Sequence, residues 1–304
     1  MVVILPVCQQ HGAPLFCGFF MVGLSYIKQT LWVGRKNKRQ NQSLCLERQR
    51  PEPYSHAIIN SIDVLDFDMS KPYTLYGWHT VLAALKNPNR TVNQVWVNET
   101  ARDRLQEEDA HHVIDPRYVR LASTQDLNRK TLDGVHQGIA AEVLPLEQPD
   151  LEDLLPEASL FLMLDQVTDP HNFGAIVRTA AAFSADAIIV QSRHSPSEGG
   201  VLAKTASGAL DHIPIVSVVN LSRALQDLKN AEFWTIAFDS AGKDTFDPSR
   251  LGAKKVLMMG AEGKGLRPNI INHADILVRL PTNPDFPSLN VSNAAAIALY
   301  ACQA

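Results

Sequence analysis

The spacing of apolar residues along the chain predicts a small α/β module over residues 72–146. A helical period near Trp78–Leu85 is followed by an alternating strand at Val92–Val97 and a second strand candidate at Gly138–Leu144. An acidic, proline-containing run comes next, which is typical of a linker over residues 147–158. The pattern therefore predicts that a separate domain begins near residue 159.

Residues 159–304 alternate short apolar runs with helical patterns. Such alternation predicts an α/β domain with a mostly parallel sheet that helices cover on both faces. The candidate helices are Ala175–Phe183, Leu221–Leu228 and Ser292–Cys302. The candidate strands are Leu160–Leu164, Ala187–Gln191, Ile213–Val219, Phe233–Phe238, Lys255–Met259 and Ile276–Leu280.

Residues 1–71 do not share this pattern, and their composition predicts a basic, disordered extension. Between Lys28 and Arg50 lie seven basic residues against one acid, Glu47, with no sustained apolar period. Such a segment buries too little apolar surface to offset the entropy of ordering it. It is either an arm that touches RNA phosphates or an extension without a role. Met69, just before the first patterned residues, is a second possible start of the protein.

Composition narrows the class of protein. The 304 residues carry 28 Lys and Arg against 32 Asp and Glu, a formal net charge of -4, which excludes a generally basic coat for nucleic acid but leaves room for a local basic face. Four cysteines without a CxxC pair predict neither a disulfide framework nor a metal site, and favour a reducing, cytoplasmic compartment. Candidates for an RNA-binding face, or for a merely solvated one, are Arg90, Arg102, Arg104, Arg117, Arg120, Arg129 and Lys130.

No apolar stretch reaches the roughly 18 residues that a membrane span needs. The segment Pro14–Ile27 has the hydrophobicity of a signal-peptide core, but no positive charge precedes it and no clear small-residue cleavage site follows. We therefore expect neither a membrane partner nor a secretory signal.

The loop after the first strand of the second domain is the first candidate for chemistry. Ligands in open α/β sheets bind where parallel strands end. Asp165 ends the strand, and a helix is predicted to start near Gly174, so polar groups and a helix N-terminus meet there. Arg178 lies one predicted turn inside that helix and could point back to the loop or form a surface ion pair. His171 could act as a base, although a histidine after proline in a turn is more often structural.

Two later loops carry further candidates. The glycines of Gly260–Leu266 (GAEGKGL) fall at offsets 0, 3 and 5, which does not fit the GxGxxG spacing of a nicotinamide-dependent oxidoreductase. This loop offers close backbone approach, one carboxylate, Glu262, and one cation. In the third loop, Ser288 or Asn290 suits the N-cap of the last helix. The segment Ser288–Asn293 holds more Ser and Asn than one cap needs, which favours contact with a ligand.

Together, the segments DPHNFGAIVRTA, GAEGKGL and LP…SLNVSNAAAIAL resemble motifs 1 to 3 of the SpoU (TrmH-like) RNA 2′-O-ribose methyltransferases of the SPOUT superfamily. The segment GVHQGI, Gly134–Ile139, resembles the L30e-like substrate-binding domain of these enzymes, and the combination is most similar to the RlmB subgroup, which methylates a guanosine ribose in 23S rRNA.

This resemblance implies a trefoil-knotted catalytic domain, although threaded chains are very rare. It also implies a homodimer whose active sites lie beside the dimer interface. S-adenosylmethionine would be held largely by backbone groups at Gly260, Leu280 and Leu289. By motif position, the residues tied to catalysis are Asn172, Arg178, Glu262, Ser288 and Asn290.

The family account makes Arg178 the base that removes the hydroxyl proton. Because guanidinium pKa values exceed about 12, our hypothesis is that Arg178 grips a phosphate and orients the 2′-hydroxyl instead. The loop Thr282–Pro287 departs from the family pattern by two extra prolines, which leaves its contacts with the cofactor open. Two alternatives also remain open: a tRNA ribose methyltransferase, and a ribosome-assembly factor that binds RNA without catalysis.

Overall fold

The computed structural model describes residues 71–107, 115–194, 196, 198–283, 285 and 288–303. The basic segment Lys28–Arg50 and the possible start at Met69 lie outside these ranges, so both interpretations of the extension stay predictions. Within the described ranges, no helix is both long and apolar enough to cross a membrane.

The small module, which we define as residues 72–146, is built on a four-stranded sheet in the order β1-β4-β2-β3. Strand β4 runs antiparallel to both β1 and β2, whereas β2 and β3 are parallel. The predicted helix and both predicted strands are present. Its elements are β1 (Tyr73–Tyr76), α1 (Trp78–Lys86), β2 (Val92–Val97), α2 (Glu99–Glu107), β3 (Val119–Leu121), α3 (Thr124–Thr131) and β4 (Ile139–Val143).

The second module, residues 159–304, which we call the catalytic module after its expected role, holds a seven-stranded sheet in the order β7-β6-β5-β10-β8-β11-β9, in which every neighbouring pair is parallel. This confirms the predicted α/β class, while the trefoil knot remains a prediction. The strands are β5 (Leu160–Asp165), β6 (Ala187–Gln191), β7 (Ile215–Val218), β8 (Trp234–Phe238), β9 (Asp244–Thr245), β10 (Lys255–Gly260) and β11 (Ile276–Arg279). The helices are α5 (Pro170–Ala182), α6 (Gly200–Ala206), α7 (Leu221–Asn230), α8 (Pro268–Ile271) and α9 (Val291–Ala301).

Two local expectations need correction. Helix α5 begins at Pro170, not near Gly174, because the Asp169 side chain accepts the Asn172 N–H at 2.7 Å and proline is well suited to the first helical position. The segment predicted as a linker contains a short helix, α4 (Leu151–Leu154). Its Leu151 is buried in the core of the catalytic module, where apolar burial stabilises the turn.

Strand β5 separates the two apolar cores. Leu162 and Leu164 point into the same core as the residues of α5 and α9, whereas Phe161 and Met163 point into the core beneath α7 and α8. The first of these cores continues into the small module through Leu75 and Trp78 of β1 and α1. The two modules therefore share one apolar core.

Candidate active site

Three of the parallel strands end at one edge of the sheet, at Asp165, Gly260 and Arg279, and their loops converge there. A cleft of about 670 Å³, hereafter the large cleft, lies against this edge. Its walls include the three predicted cofactor-binding positions Gly260, Leu280 and Leu289. The other lining residues are Phe238, Asp239, Ser240, Met259, Ala261, Glu262, Gly263, Lys264, Gly265, Arg279, Thr282, Ser288, Val291 and Ala294.

A second cleft of about 380 Å³, hereafter the small cleft, adjoins the first. It is formed by the loop after β5 and the start of α5, with Gln166, Thr168, Asp169 and Asn172 in its wall. Glu262 and Lys264 are among the residues that line both clefts. The shared wall places one carboxylate and one ammonium group between the two spaces.

A chain of side-chain hydrogen bonds joins all three loops. Asn172 Nδ2 donates to Glu262 Oε2 at 3.3 Å, and Asn290 Nδ2 donates to Asn172 Oδ1 at 2.9 Å. We call Glu262, Asn172 and Asn290 the amide bridge. Asn290 also caps α9, since its Oδ1 accepts the backbone N–H and the hydroxyl of Ser292. Asn290 therefore has the capping role, and its second contact is with Asn172. The expected contact with a ligand stays a prediction.

Ser288 and Arg178 differ in where the structure places them. Ser288 is exposed and lines the large cleft, and its role in catalysis stays a prediction. Arg178 is exposed on α5, lines neither cleft, and makes no hydrogen bond or ion pair with any residue that the structure describes. Because α5 begins earlier than predicted, Arg178 lies two turns from the start of the helix and not one, and its role in catalysis stays a prediction. His171 is also exposed, with Nδ1 3.5 Å from Thr205 Oγ1.

The glycine loop is folded tightly on itself. Ala261 and Gly265 pair as an isolated bridge, and the Gly265 N–H donates to the Ala261 carbonyl at 2.8 Å. A Cβ on Gly260 would lie 2.0 Å from the Gly265 carbonyl carbon, so no larger residue fits there. Gly263 and Gly265 have φ of 77° and 66°, in the left-handed region that favours glycine. The loop thus brings bare backbone to the wall of the large cleft.

The most deeply buried polar group at this edge was not singled out from the sequence. Asp165 is fully buried and accepts hydrogen bonds from the Arg267 backbone N–H at 3.0 Å and from Arg267 Nε at 2.8 Å. Arg267 Nη2 also donates to Gln191 at 2.9 Å. The sequence signal that could have identified Asp165 is a carboxylate at the end of an apolar strand. Together with Arg267, Asp165 ties the glycine loop to β5 and β6. Asp239 and Ser240, which follow β8 and line the large cleft, were missed as well.

The predicted RNA-binding face of the small module requires one correction. The Arg90 side chain is 0% exposed and pairs with Glu198 and Asp211, so it is unable to reach RNA phosphates. Arg120 is exposed, and Arg102, Arg117 and Arg129 form exposed pairs with neighbouring aspartates. Arg104 lies over the Trp78 ring and Lys130 over the Trp96 ring, at 4.0 and 3.6 Å from the centroids.

The GVHQGI segment has a structural role. His136 Nδ1 accepts the Gly138 N–H at 2.9 Å, and its Nε2 lies 2.9 Å from Asn128 Oδ1. Burial lowers the pKa of His136, which keeps the ring neutral and able to accept this bond. Gln137 Oε1 accepts from the Trp78 N–H and from Lys204 Nζ, which links the segment to the catalytic module.

Among the residues that the structure describes, no three His, Cys, Asp or Glu side chains cluster closely enough to hold a metal ion. A site made of two adjoining clefts, exposed backbone and a shared carboxylate is suited to binding organic ligands and to positioning them relative to one another.

Comparison with known proteins adds the family context. Residues 159–300 match the SpoU rRNA Methylase family, and residues 74–149 match the RNA 2′-O ribose methyltransferase substrate binding family. The 23S rRNA (guanosine-2′-O-)-methyltransferase RlmB of Pseudomonas putida is 37% identical over 76% of this chain and 96% of its own length. An uncharacterized tRNA/rRNA methyltransferase of Synechocystis is 39% identical over 74% of this chain, which spans only 61% of that relative.

Solved structures support the fold. The crystal structure of the AdoMet-bound rRNA methyltransferase from Sinorhizobium meliloti matches with a TM-score of 0.64 at 22% identity, over 78% of this chain and 88% of that one. The SpoU methyltransferase AviRb from Streptomyces viridochromogenes matches with a TM-score of 0.62 at 22% identity, over 76% and 88% of the two chains.

Proposed function

The chain belongs to the SpoU rRNA Methylase family, and we propose on that premise that it transfers a methyl group from S-adenosylmethionine to the 2′-hydroxyl of a guanosine ribose in 23S rRNA. The observation that carries the proposal is the amide bridge, which draws the loops after β5, β10 and β11 together beside two adjoining clefts. An rRNA substrate is consistent with a cytoplasmic location of the protein.

The large cleft fits S-adenosylmethionine. Its volume of about 670 Å³ lies within the range of about 300–1,000 Å³ common for ligand sites. The backbone of Gly260–Gly265 and the backbone at Leu280 and Leu289 would bind the adenosine part, because the glycines leave no Cβ in the way. Apolar contacts would come from Met259 and Ala294. When bound there, the cofactor supplies an electrophilic methyl group on sulfur.

The side chains of the small cleft would position the ribose. Asn172 and Glu262 line the small cleft and hold the first two loops together. Ser288, which lines the large cleft two residues before the helix cap Asn290, would lie near the ribose where the two clefts adjoin. This arrangement favours catalysis by orientation, which can contribute about 7–11 kcal/mol when reacting groups are well aligned. The amide bridge is therefore assigned to positioning, and the proton that the 2′-hydroxyl loses on methylation would pass to water.

Arg178 would grip a phosphate of the RNA and orient the 2′-hydroxyl. Its guanidinium is free of intramolecular partners in the described part of the chain, and a planar fork with several donors matches phosphate oxygens. Since Arg178 lines neither cleft of its own chain, the RNA or a second copy of the chain must complete the site around it.

We propose a homodimer for this reason. Ile297 and Tyr300 of α9 are exposed, and Tyr300 is 65% accessible although it is a large aromatic residue. Tyr300 lies edge-on to Phe183, just after α5, at 6.0 Å between ring centroids. An exposed apolar face on α9 beside the helix that carries Arg178 suits burial against a second copy.

Transfer of tritium from labelled S-adenosylmethionine tests the function. We expect labelling of 23S rRNA at a guanosine ribose, no labelling of RNA whose target ribose is replaced by deoxyribose, and little labelling of tRNA. Labelling of tRNA alone would support the tRNA alternative. Failure to bind labelled S-adenosylmethionine would support the assembly-factor alternative and contradict the proposal.

A further inference from the structure

Arg90 lies completely buried between the small module and the catalytic module. It belongs to the short segment between α1 and β2, and its side chain is 0% exposed. Its Nε donates to Asp211 Oδ1 at 2.8 Å, and its Nη1 lies 2.8 Å from Glu198 Oε1. Both carboxylates come from the catalytic module and are nearly inaccessible, at 2% and 11% exposure. One cation of the small module therefore pairs with two acids of the other module.

Three further groups of the small module complete the cluster. The Tyr73 hydroxyl donates to Glu198, and burial together with Glu198 raises the pKa of Tyr73, which keeps the hydroxyl protonated. Arg90 Nη1 also donates to the carbonyl of Leu144 at 3.1 Å, and Asn87 Nδ2 donates to Asp211 Oδ1 at 3.1 Å. We call Tyr73, Asn87, Arg90, Glu198 and Asp211 the Arg90 hub.

Burial alone lowers the pKa of Arg90, but its contacts with Glu198, Tyr73 and Asp211 together outweigh burial and raise this pKa above the ordinary value. The guanidinium therefore stays charged. Its hydrogen bonds are directional, so a small rotation of one module would leave a charge buried without its partner, which is strongly unfavourable. The cluster admits one orientation of the modules.

Helix α6 connects this interface to the site. On one side it contacts the small module, where Lys204 Nζ donates to Gln137 Oε1 at 2.8 Å and Thr80 Oγ1 donates to the Ala203 carbonyl at 3.2 Å. On the other side it packs closely on α5, since a Cβ on Gly174 would lie 2.9 Å from the Leu202 carbonyl oxygen. The helix that carries Asn172 and Arg178 therefore touches α6 directly, and α6 touches the small module.

We propose that Arg90 is a positioning residue for the methyl-transfer reaction: the Arg90 hub fixes the small module against α6, so that RNA bound by the small module meets the amide bridge in one register. This inference rests on the proposed function, in which the small module contacts RNA. The hub contacts neither cleft, and its effect reaches the reaction only through the orientation of the RNA.

The test compares Arg90→Met with the matched control Lys86→Met in the full-length protein. Both changes remove one cation from the small module, but Lys86 is exposed at the end of α1. In Arg90→Met, we expect amide hydrogens of β1 and α6 to exchange about a hundredfold faster, because one partner of a buried ion cluster is gone. Exchange in β5 and β10 should stay as in the wild type, as should the stoichiometry and Kd of S-adenosylmethionine.

Kinetics separate positioning from stability. We expect KM for 23S rRNA to rise about tenfold in Arg90→Met and to stay unchanged in Lys86→Met. A merely structural role would reduce the number of competent sites, and with it kcat and the stoichiometry of S-adenosylmethionine, while KM for RNA stayed constant. A lower kcat with an unchanged KM for RNA in Arg90→Met would therefore overturn the proposal. Amide exchange in β1 and α6 at the wild-type rate in this variant would overturn it as well.

The outcome is distinguishable from failure of the proposed function. If the wild-type protein transfers no methyl group to any RNA, the proposed function fails, and the exchange measurement decides about the hub alone. Faster exchange confined to β1 and α6 would then still support the fixed interface, and unchanged exchange would overturn it.

Discussion

At the scale of single residues, Asn172 is the centre of the amide bridge. Its amide donates to Glu262 and accepts from Asn290, so one side chain connects two loops that lie far apart in the sequence. Asparagine suits this position because its amide can donate and accept at once, which neither aspartate nor leucine can do.

We expect Asn172→Ala to loosen all three loops. Losing two hydrogen bonds of a partly exposed amide should lower the free energy of unfolding by about 1–2 kcal/mol. It should also lower kcat for methyl transfer by about a hundredfold, because misplacing a reacting group by about 1 Å has effects of that size. Thermal unfolding and single-turnover kinetics check both. The control is Gln226→Ala, which removes an exposed side-chain hydrogen bond between two amides, from Gln226 to Asn230 on α7, and should change neither quantity. Equal activity of Asn172→Ala and the control would refute the role of the bridge.

The role of Arg178 depends on its shape as well as on its charge. We expect Arg178→Lys to lose about as much kcat as Arg178→Ala, since lysine keeps the charge but lacks the planar fork. Both variants should unfold at the wild-type temperature, because the exposed side chain has no partner in the described structure. Near-normal turnover of Arg178→Lys would contradict a bidentate grip on phosphate.

His136 makes the stability of the small module depend on pH. Burial lowers its pKa in the native state, so the unfolded chain binds a proton more readily than the folded one. Stability should therefore fall as pH drops through the ordinary histidine pKa of about 6.5. Urea unfolding between about pH 7 and pH 5 measures the loss. It should be smaller in His136→Asn, whereas the exposed His79→Asn should keep the wild-type dependence. An unchanged dependence in His136→Asn would contradict this assignment.

The motif residues lie together as loops that follow neighbouring parallel strands do. Gly260, Leu289 and Ser288 line the large cleft, and Asn172 contacts Glu262, while their roles in binding and catalysis stay predictions. Residue-level prediction failed for Arg90, because nothing in the local sequence reveals that two acids more than 100 residues away bury it. A long-range ion cluster leaves no periodic signal in the chain.

At the scale of elements, the long apolar runs predicted six of the seven strands of the catalytic module to within one or two residues, because buried parallel strands are almost continuously hydrophobic. The two-residue strand β9 was not assigned. Other short or polar elements, β1, β3, α2, α3, α4, α6 and α8, were not assigned either, since most are brief and the helices α2 and α3 are mostly polar. The predicted start of α5 was wrong because the sequence Pro-His-Asn suggests a turn. In the structure, the Asp169 cap makes these three residues part of the first helical turn.

The glycine loop gives the sharpest test at this scale. We expect Gly260→Ala to lower stability by about 1–3 kcal/mol and to abolish measurable binding of S-adenosylmethionine, since its Cβ would meet the Gly265 backbone at 2.0 Å. Gly263→Ala in the same loop meets no atom within 4 Å, although its φ of 77° costs roughly 1 kcal/mol. Isothermal titration should show retained, weaker binding for Gly263→Ala. Equal binding by both variants would contradict the backbone cradle.

At the scale of the whole molecule, the two modules behave as parts of one body. They share an apolar core through Leu75 and Trp78, and the buried ions of the Arg90 hub lie between them. The net charge of -4 suggested a poor partner for RNA, yet the small module exposes Arg120 and several arginines in weak surface pairs that RNA phosphates can displace. Shape and local charge, not bulk charge, must hold the RNA.

A chain that begins at Met69 tests the contribution of the extension. Every helix and strand of the two modules lies after residue 72, so we expect its unfolding temperature and its affinity for S-adenosylmethionine to equal those of the full chain. The dependence of RNA affinity on salt discriminates the two interpretations of Lys28–Arg50. A smaller slope of log affinity against log salt in the short form means that the arm contacts phosphates. A lower unfolding temperature of the short form would contradict the expectation.

The central claim is methylation of a guanosine ribose in 23S rRNA, and its most direct test is a map of 2′-O-methyl groups in rRNA and tRNA from cells that lack this gene. We expect one guanosine of 23S rRNA to lose its methyl group, to regain it when the wild-type gene is restored, and to stay unmethylated with the Arg178→Ala form. An rRNA map identical to that of the parent cells would contradict the account.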